Sequence, residues 1–230
     1  AIYPAMANSV MAMDALGYAP DHPERATAMA SLKKLVTDDE AGRRFVQPCV
    51  SPVWDTTLAM HALAEADGEV DPDAARWLRE RQVLEHKGDW AVQRPDVRPG
   101  GWAFEYANPD YPDIDDTAAI GMALDRSGDP ANREAVERAA EWILGLQSDN
   151  GGWAAFDANN TRYYLNHIPF ADHGALLDPP TADVTGRCLG FLAQLGYTTD
   201  HPAVARGLDY LRREQEADGS WFGRWGTNYI

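Results

Sequence analysis

The chain repeats itself, and the contents of the repeat limit what it can fold into. Asp55-Thr56-Thr57, Asp115-Asp116-Thr117 and Asp183-Val184-Thr185 share Asp-x-Thr, at spacings of 60 and 68 residues. Eleven residues after each closing threonine stands a glycine: Gly68, Gly128 and Gly196. Between threonine and glycine lie runs that are apolar on nearly every side, such as Leu58 to Ala64 and Ala118 to Leu124. Amphipathic segments follow, Arg76 to Gln82, Arg133 to Gln147 and Ala203 to Gln215. In the second of these, Val136, Ala140, Ile143 and Leu146 keep helical spacing opposite Glu134, Glu137, Arg138 and Glu141. A helix that is apolar all round belongs inside a protein, and an amphipathic one at its boundary. Alternating the two predicts an all-α fold of repeated helix pairs in concentric layers, part of an α/α-barrel or toroid.

Each amphipathic segment closes on the same clip. Gln147 to Trp153 and Gln215 to Trp221 read Q-x-x-x-G-x-W, and Gln82 to Gly88-Asp89-Trp90 is the same with two extra residues. Glutamine at a helix C-terminus can satisfy orphan carbonyls, glycine allows the reversal, and tryptophan packs back over the turn. These are structural clips between repeats. An N-terminal unit, Leu16-Gly17-Tyr18 with Asp21-His22-Pro23, echoes Leu195-Gly196-Tyr197 with Asp200-His201-Pro202. No clip follows it; Lys33 to Arg44 is charged, and Gln47 to Pro52 is a proline-bearing connector. That shift marks a domain boundary, with 1–46 as the end of one helical barrel domain and 47–230 as part of another. Two irregular stretches, Val92 to Asp113 and Ala154 to Ala182, are rich in aromatics, as functional loops are.

Charge removes whole classes of function. A net charge of -16 repels phosphate backbones and polybasic-type membrane contacts, so no nucleic-acid partner is expected. Two cysteines, Cys49 and Cys188, suggest no disulfide framework. No apolar stretch reaches the length of a membrane span, and no basic n-region marks a signal peptide. The last six residues stop without a polar tail, as if the chain were a piece of something longer.

The densest chemistry is Tyr111-Pro112-Asp113-Ile114-Asp115-Asp116-Thr117, three carboxylates in four positions before an apolar run. Pro112 biases Tyr111 away from helical angles, so a helix begins near Asp115 or Asp116. Unpaired N–H groups and the positive end of the macrodipole favour the ionised acids there. One Asp or Thr suffices for an N-cap; the third carboxylate is unexplained by capping.

These clips, the Asp113-Ile114-Asp115-Asp116 motif and three strings resemble squalene–hopene cyclases. The strings are Ser51-Pro52-Val53-Trp54-Asp55-Thr56, Pro99 to Glu105 (PGGWAFE) and Gly219 to Gly226 (GSWFGRWG). The resemblance implies a monotopic enzyme of two α-helical barrel domains, peripheral on the cytoplasmic side of the cell membrane. It implies a cavity in which squalene cyclises to hopene and hopanol, and no cofactor or metal. Carried over by motif, Asp115 protonates the terminal alkene, flanked by Asp113 and Asp116. The lining positions match Trp54, Phe104, Phe156 and Trp225, with Ile2 and Pro4 near the far end. Membrane contact would come from parts outside this segment, and the resemblance leaves a homodimer open. An isolated alkene is a very poor base, so the acid needs a stabilised conjugate base and the cation needs a dry cavity with π-faces.

Two positions depart from the pattern. Many relatives carry His two residues after Asp-Val-Thr, where this chain has Arg187, a permanent cation that would lower the acid's pKa. Phe156 stands where some relatives have Tyr, without the hydroxyl. Three alternatives compete. Another D-x-D-D terpene cyclase shares the motif. Protein prenyltransferase β-subunits are helical toroids with a zinc site, but Asp183 and Cys188 alone show no ligand spacing with a histidine. A non-catalytic helical-repeat module could bind ligands in an aromatic concavity. If the ring is incomplete, Leu58 to Ala64 and Cys188 to Ala193 should face missing neighbours, and the segment alone should not turn over squalene.

Overall fold

The computed structural model describes residues 3–67, 71–106, 108–168 and 177–224. The chain divides into two compact units, Ala1–Pro52 and Val53–Ile230. In the first, α1 (Tyr3–Ala15) packs on α2 (Pro23–Lys33). A small antiparallel hairpin follows, β1 (Val36–Asp38) on β2 (Arg44–Val46), with Val36 opposite Val46. The hairpin is an addition to the expected all-α chain. β-Branched and aromatic residues flank Asp39, whose carboxylate accepts the N–H groups of Ala41 and Arg43 at 3.0 and 2.8 Å.

The second unit is built of helices. They are α3 (Pro52–Asp67), α4 (Pro72–Arg79), α5 (Ile114–Arg126), α6 (Arg133–Gly145), α7 (Ala182–Gln194) and α8 (Pro202–Glu214). Helix α5 packs on both α6 and α7, and α7 packs on α8. The two kinds of helix separate as the sequence pattern requires. From Ile114 to Leu124, α5 is buried except at Asp115 and Met122, whereas α6 buries Val136, Ala140 and Ile143 and exposes Glu134, Glu137 and Glu141. Close approach of α5 and α7 depends on Gly121, where an added Cβ would stand 2.5 Å from the Phe191 ring. The incomplete-ring expectation divides. Leu58 and Leu63 of α3 are 42% and 46% exposed. Cys188, Leu189, Phe191 and Leu192 are buried, because α5 and α8 already cover that face.

The clips work differently from the sequence expectation. It is the tryptophan that serves the helix C-terminus: the indole N–H groups of Trp102, Trp153 and Trp221 donate to the carbonyls of Leu78, Ile143 and Leu211, at 2.7, 2.7 and 2.8 Å. The glutamine reaches across to the next outer helix. Gln82 donates to the Gly100 and Ala135 carbonyls, and Gln147 to those of Gly151 and Ala203. The first clip therefore runs from Gln82 to Trp102, and Trp90 packs edge-on to Trp142 instead. The threonine of the second and third Asp-x-Thr closes the unit, since Thr117 and Thr185 Oγ accept the backbone N–H of Trp102 and Trp153 at 2.9 and 3.0 Å. Inner helix, outer helix and clip are thus tied in one register.

The N-terminal echo is also structural. Gly17 and Gly196 have φ of 80° and 87° after α1 and α7, and Tyr18 and Tyr197 N–H groups reach back to Met13 and Leu192 carbonyls. In each case the tyrosine ring then meets the histidine edge-on, at 4.6 and 5.0 Å between centroids.

Candidate functional site

The three aspartates of the motif sit at the head of α5 and do different things. Asp113 is the N-cap: its Oδ1 accepts the N–H groups of Asp115 and Asp116 at 2.7 and 3.2 Å. Its own N–H donates to the Trp102 carbonyl at 2.7 Å, and its carbonyl accepts the Thr117 hydroxyl at 2.6 Å. Capping thus accounts for one carboxylate. Asp115 faces α7, where Arg187 Nε meets its Oδ1 at 2.5 Å, with side chains 36% and 16% exposed respectively. Asp116 is 2% exposed, and its Oδ1 has no hydrogen-bond partner among the described residues.

The electrostatic balance runs opposite to the sequence expectation. A helix N-terminus favours carboxylates, yet all three acids are shifted upwards. Burial raises Asp113 most, with repulsion from Asp115 adding to it against the two capping N–H groups. Burial raises Asp116, and repulsion from Asp113 and Asp115 adds to that. Burial also raises Asp115, but Arg187 opposes it through charge and hydrogen bond together. The helix end supplies fractional charge over one turn, whereas desolvation acts on the whole ionised group. The three acids therefore hold their protons more tightly than free carboxylates, and Arg187 opposes this most directly at Asp115.

Arg187 is held by two contacts. Its guanidinium carbon also lies 5.2 Å from the centroid of the Trp54 ring of α3. Trp54 therefore supports the cation, in addition to any face it offers a ligand. Phe156 is half-buried and tied to the site through its backbone: its N–H donates to Asp178 Oδ2 at 2.8 Å, and the neighbouring Ala155 carbonyl accepts Ile114 N–H at 2.7 Å. Phe104 is half-buried two residues beyond Trp102, which bridges to Asp113. Pro4 is exposed on α1 of the first unit. Ile2 and Trp225 lie outside the described residues.

Asp178 is the residue that sequence reading passed over. Nothing marks it in the sequence except its place before Pro179-Pro180, and its importance lies in contacts that only the fold creates. Asp183, which occupies in α7 the place of Asp115 in α5, accepts the Arg224 backbone N–H at 2.8 Å. A cleft of about 450 Å³ lies at the other end of α5, lined by Leu124, Asp129, Arg133 and Tyr197 among others, remote from the acids. Among the described residues no group of three or more His, Cys, Asp or Glu is arranged to hold a metal ion.

Comparison with known proteins gives the same outline. A model of the squalene–hopene cyclase C-terminal domain matches residues 50–230, and one of the N-terminal domain matches residues 1–41. The whole chain is 54% identical to a squalene–hopene cyclase of Zymomonas mobilis subsp. mobilis, covering 37% of that protein. It is 58% identical to that of Bradyrhizobium diazoefficiens, covering 36% of it. Over 91% of the chain, identity to the squalene–hopene cyclase of Alicyclobacillus acidocaldarius is 44%, covering 34% of that protein. The chain spans little more than a third of the length of these curated relatives.

Proposed function

The chain belongs to the squalene–hopene cyclase family, and we propose that it carries the initiating acid of a triterpene cyclase that turns squalene into hopene and hopanol. The observation that carries this reading is the Asp115–Arg187 pair at the head of a buried helix, flanked by two acids that burial keeps protonated. Asp115 gives its proton to the terminal alkene: its O–H bond breaks, a C–H bond forms at the less substituted carbon, and a tertiary cation is left on the other. The carboxylate produced faces Arg187, so the charge appears where a cation already stands. Phe104 and Phe156, with Trp225, offer π-faces to the migrating positive charge. Ile2 and Pro4 are carried over from the family pattern alone, as lining for the end of the polyene where the last cation loses a proton to water or captures water. No metal or cofactor enters the scheme.

On this reading residues 1–46 end one helical barrel domain and 47–230 form part of the next. The protein works at a membrane surface on the cytoplasmic side, where its apolar substrate is dissolved. No helix among the described residues is long and apolar enough to cross a membrane.

The test is Asp115→Asn in the full-length protein. Asparagine keeps shape and hydrogen bonding but holds no acidic proton. Cyclisation should cease while squalene still binds, followed by gas chromatography of products and by substrate retention on the protein. More than a few per cent of the parental rate would remove Asp115 as the acid.

A further inference from the structure

Every turnover on this reading leaves the acid cluster one proton short, because the proton added at the head of the polyene is shed to water elsewhere. The cluster must be recharged from solvent, although Asp116 is 2% exposed and Asp115 is covered by Arg187 and its neighbours. A water-filled opening onto the acids would defeat the chemistry, since water quenches carbocations. The return path therefore has to run through the protein behind the acids.

Asp178 is joined to the head of the acid helix through the backbone of Ala155 and Phe156. One of its oxygens is fixed: Oδ2 accepts Phe156 N–H at 2.8 Å, and Ala155 N–H bonds the same carboxyl. The Ala155 carbonyl in turn holds the first N–H of the acid helix, that of Ile114, at 2.7 Å. The other oxygen, Oδ1, is buried without a hydrogen-bond partner among the described residues. A carboxyl anchored by one oxygen and bare at the other can take up and release a proton without moving its backbone. Its charged neighbours include acids. Asp113, the residue before Ile114, feels its charge. Asp157, half-buried and next to the anchoring Phe156, acts on Asp178 and itself feels the exposed Asp89. Arg224 is the cation in this group.

We propose that Asp178 is the proton-return residue of the site, taking a proton from solvent by way of Asp157 and passing it through Asp113 to Asp115. Asp113 first gives its proton to the Asp115 carboxylate, an O–H bond breaking on one and forming on the other; in the inward step that follows, the Asp178 O–H bond breaks and the O–H bond on Asp113 is restored. The Asp178 carboxylate is then reprotonated from hydronium, which replaces the proton lost at the end of cyclisation. The step from Asp178 to Asp113 is downhill. Burial pushes Asp178 up to about 6 against its two N–H donors and Arg224, and Asp113 and Asp116 are raised further. Asp178 does not touch the alkene; it acts through Asp113.

Asp178→Asn in the full-length protein separates this role from a structural one, because the amide oxygen still accepts the Phe156 and Ala155 N–H groups. Enzyme charged at pH 6 is mixed rapidly with squalene in detergent, and product per active site is followed with time. The first turnover should match the parent, and later turnovers should be at least tenfold slower, with recovery in Asp178→Glu. Unchanged steady turnover would place the return path elsewhere. Loss of the first turnover in step with later ones would reduce Asp178 to holding the loop. The inference rests on the cyclase reading: a parent protein that forms no cyclised product would overturn both, whereas an active parent with either variant result above would overturn this one alone.

Discussion

Replacing Arg187 removes the only cation bonded to Asp115 among the described residues, and the size of the effect follows from the contact. The two side chains meet at 2.5 Å, with Arg187 36% and Asp115 16% exposed. With charge centres about 4 Å apart and an effective dielectric near 20, such a pair attracts by about 4 kcal/mol. Solvent reaches a third of the arginine, so screening leaves about 2 kcal/mol of this. Without that attraction Asp115 would be a weaker acid. With proton transfer complete in the transition state, Arg187→Met should slow cyclisation by roughly 30-fold. Arg187→His should behave differently. A histidine against the Asp115 carboxylate has its pKa raised, so its charge is fully present below the ordinary histidine range and is lost as pH rises through the raised value. The His variant should run near the parental rate at pH 6 and fall towards the Met variant at pH 8, while the Met variant stays slow at both. Squalene conversion in detergent micelles, with melting temperature as a control for folding, measures this. A Met variant within threefold of the parent at pH 6, or equal there to the His variant, would refute the electrostatic role.

Two further outcomes test the frame around the site. Thr117→Val keeps the shape of a fully buried side chain but leaves Trp102 N–H without its acceptor; it should cost about 2 kcal/mol in thermal unfolding, and Thr117→Ser should restore most of it. Asp116→Asn should be increasingly stabilising, relative to the parent, as pH rises. The folded Asp116 keeps a proton that the unfolded chain gives up above about pH 4, so the parent loses stability from there until pH passes the raised folded pKa, at up to about 1.4 kcal/mol per pH unit. Melting curves of both proteins from pH 5 to 8 that run parallel would show Asp116 ionised at neutrality.

What could be read in the sequence was periodic. The alternation of Ala118 to Leu124 with Val136 to Leu146 gives an inner and an outer helix because burial repeats with the helical period, and the structure keeps both. The Asp113 cap is equally local, since its partners are two and three residues away. What could not be read depends on distances no spacing encodes. Trp153 and Ile143 are ten residues apart, yet their bond forms only because the loop turns back over the end of α6. Gln147 finds its second carbonyl on α8, at Ala203, 56 residues on. Cys188 to Leu192 and Leu58 to Leu63 look alike as strings, and only the packing of α8 on α7 separates the covered run from the open one. The sign of the aspartate shifts belongs with these, because desolvation is a property of everything packed around a group.

That sign explains why the motif contains three acids. An alkene accepts a proton only from a group whose conjugate base is well stabilised, and such a group, being a strong acid, holds its proton poorly at neutral pH. One carboxyl cannot be strong and well supplied at once. On the proposed reading the two demands fall on different side chains. Arg187 stabilises the anion of Asp115 and so sets its strength. Asp116 Oδ1 has no bonded partner among the described residues and is buried, so on that reading Asp116 keeps the proton that Asp115 would shed. Asp113 cannot turn away from either, because its carboxylate is held by both of their backbone N–H groups. On the proposed reading, capping the helix and bridging the store to the donor are one function of one residue. Moving the cap by a single position would break the proton supply as well as the helix start.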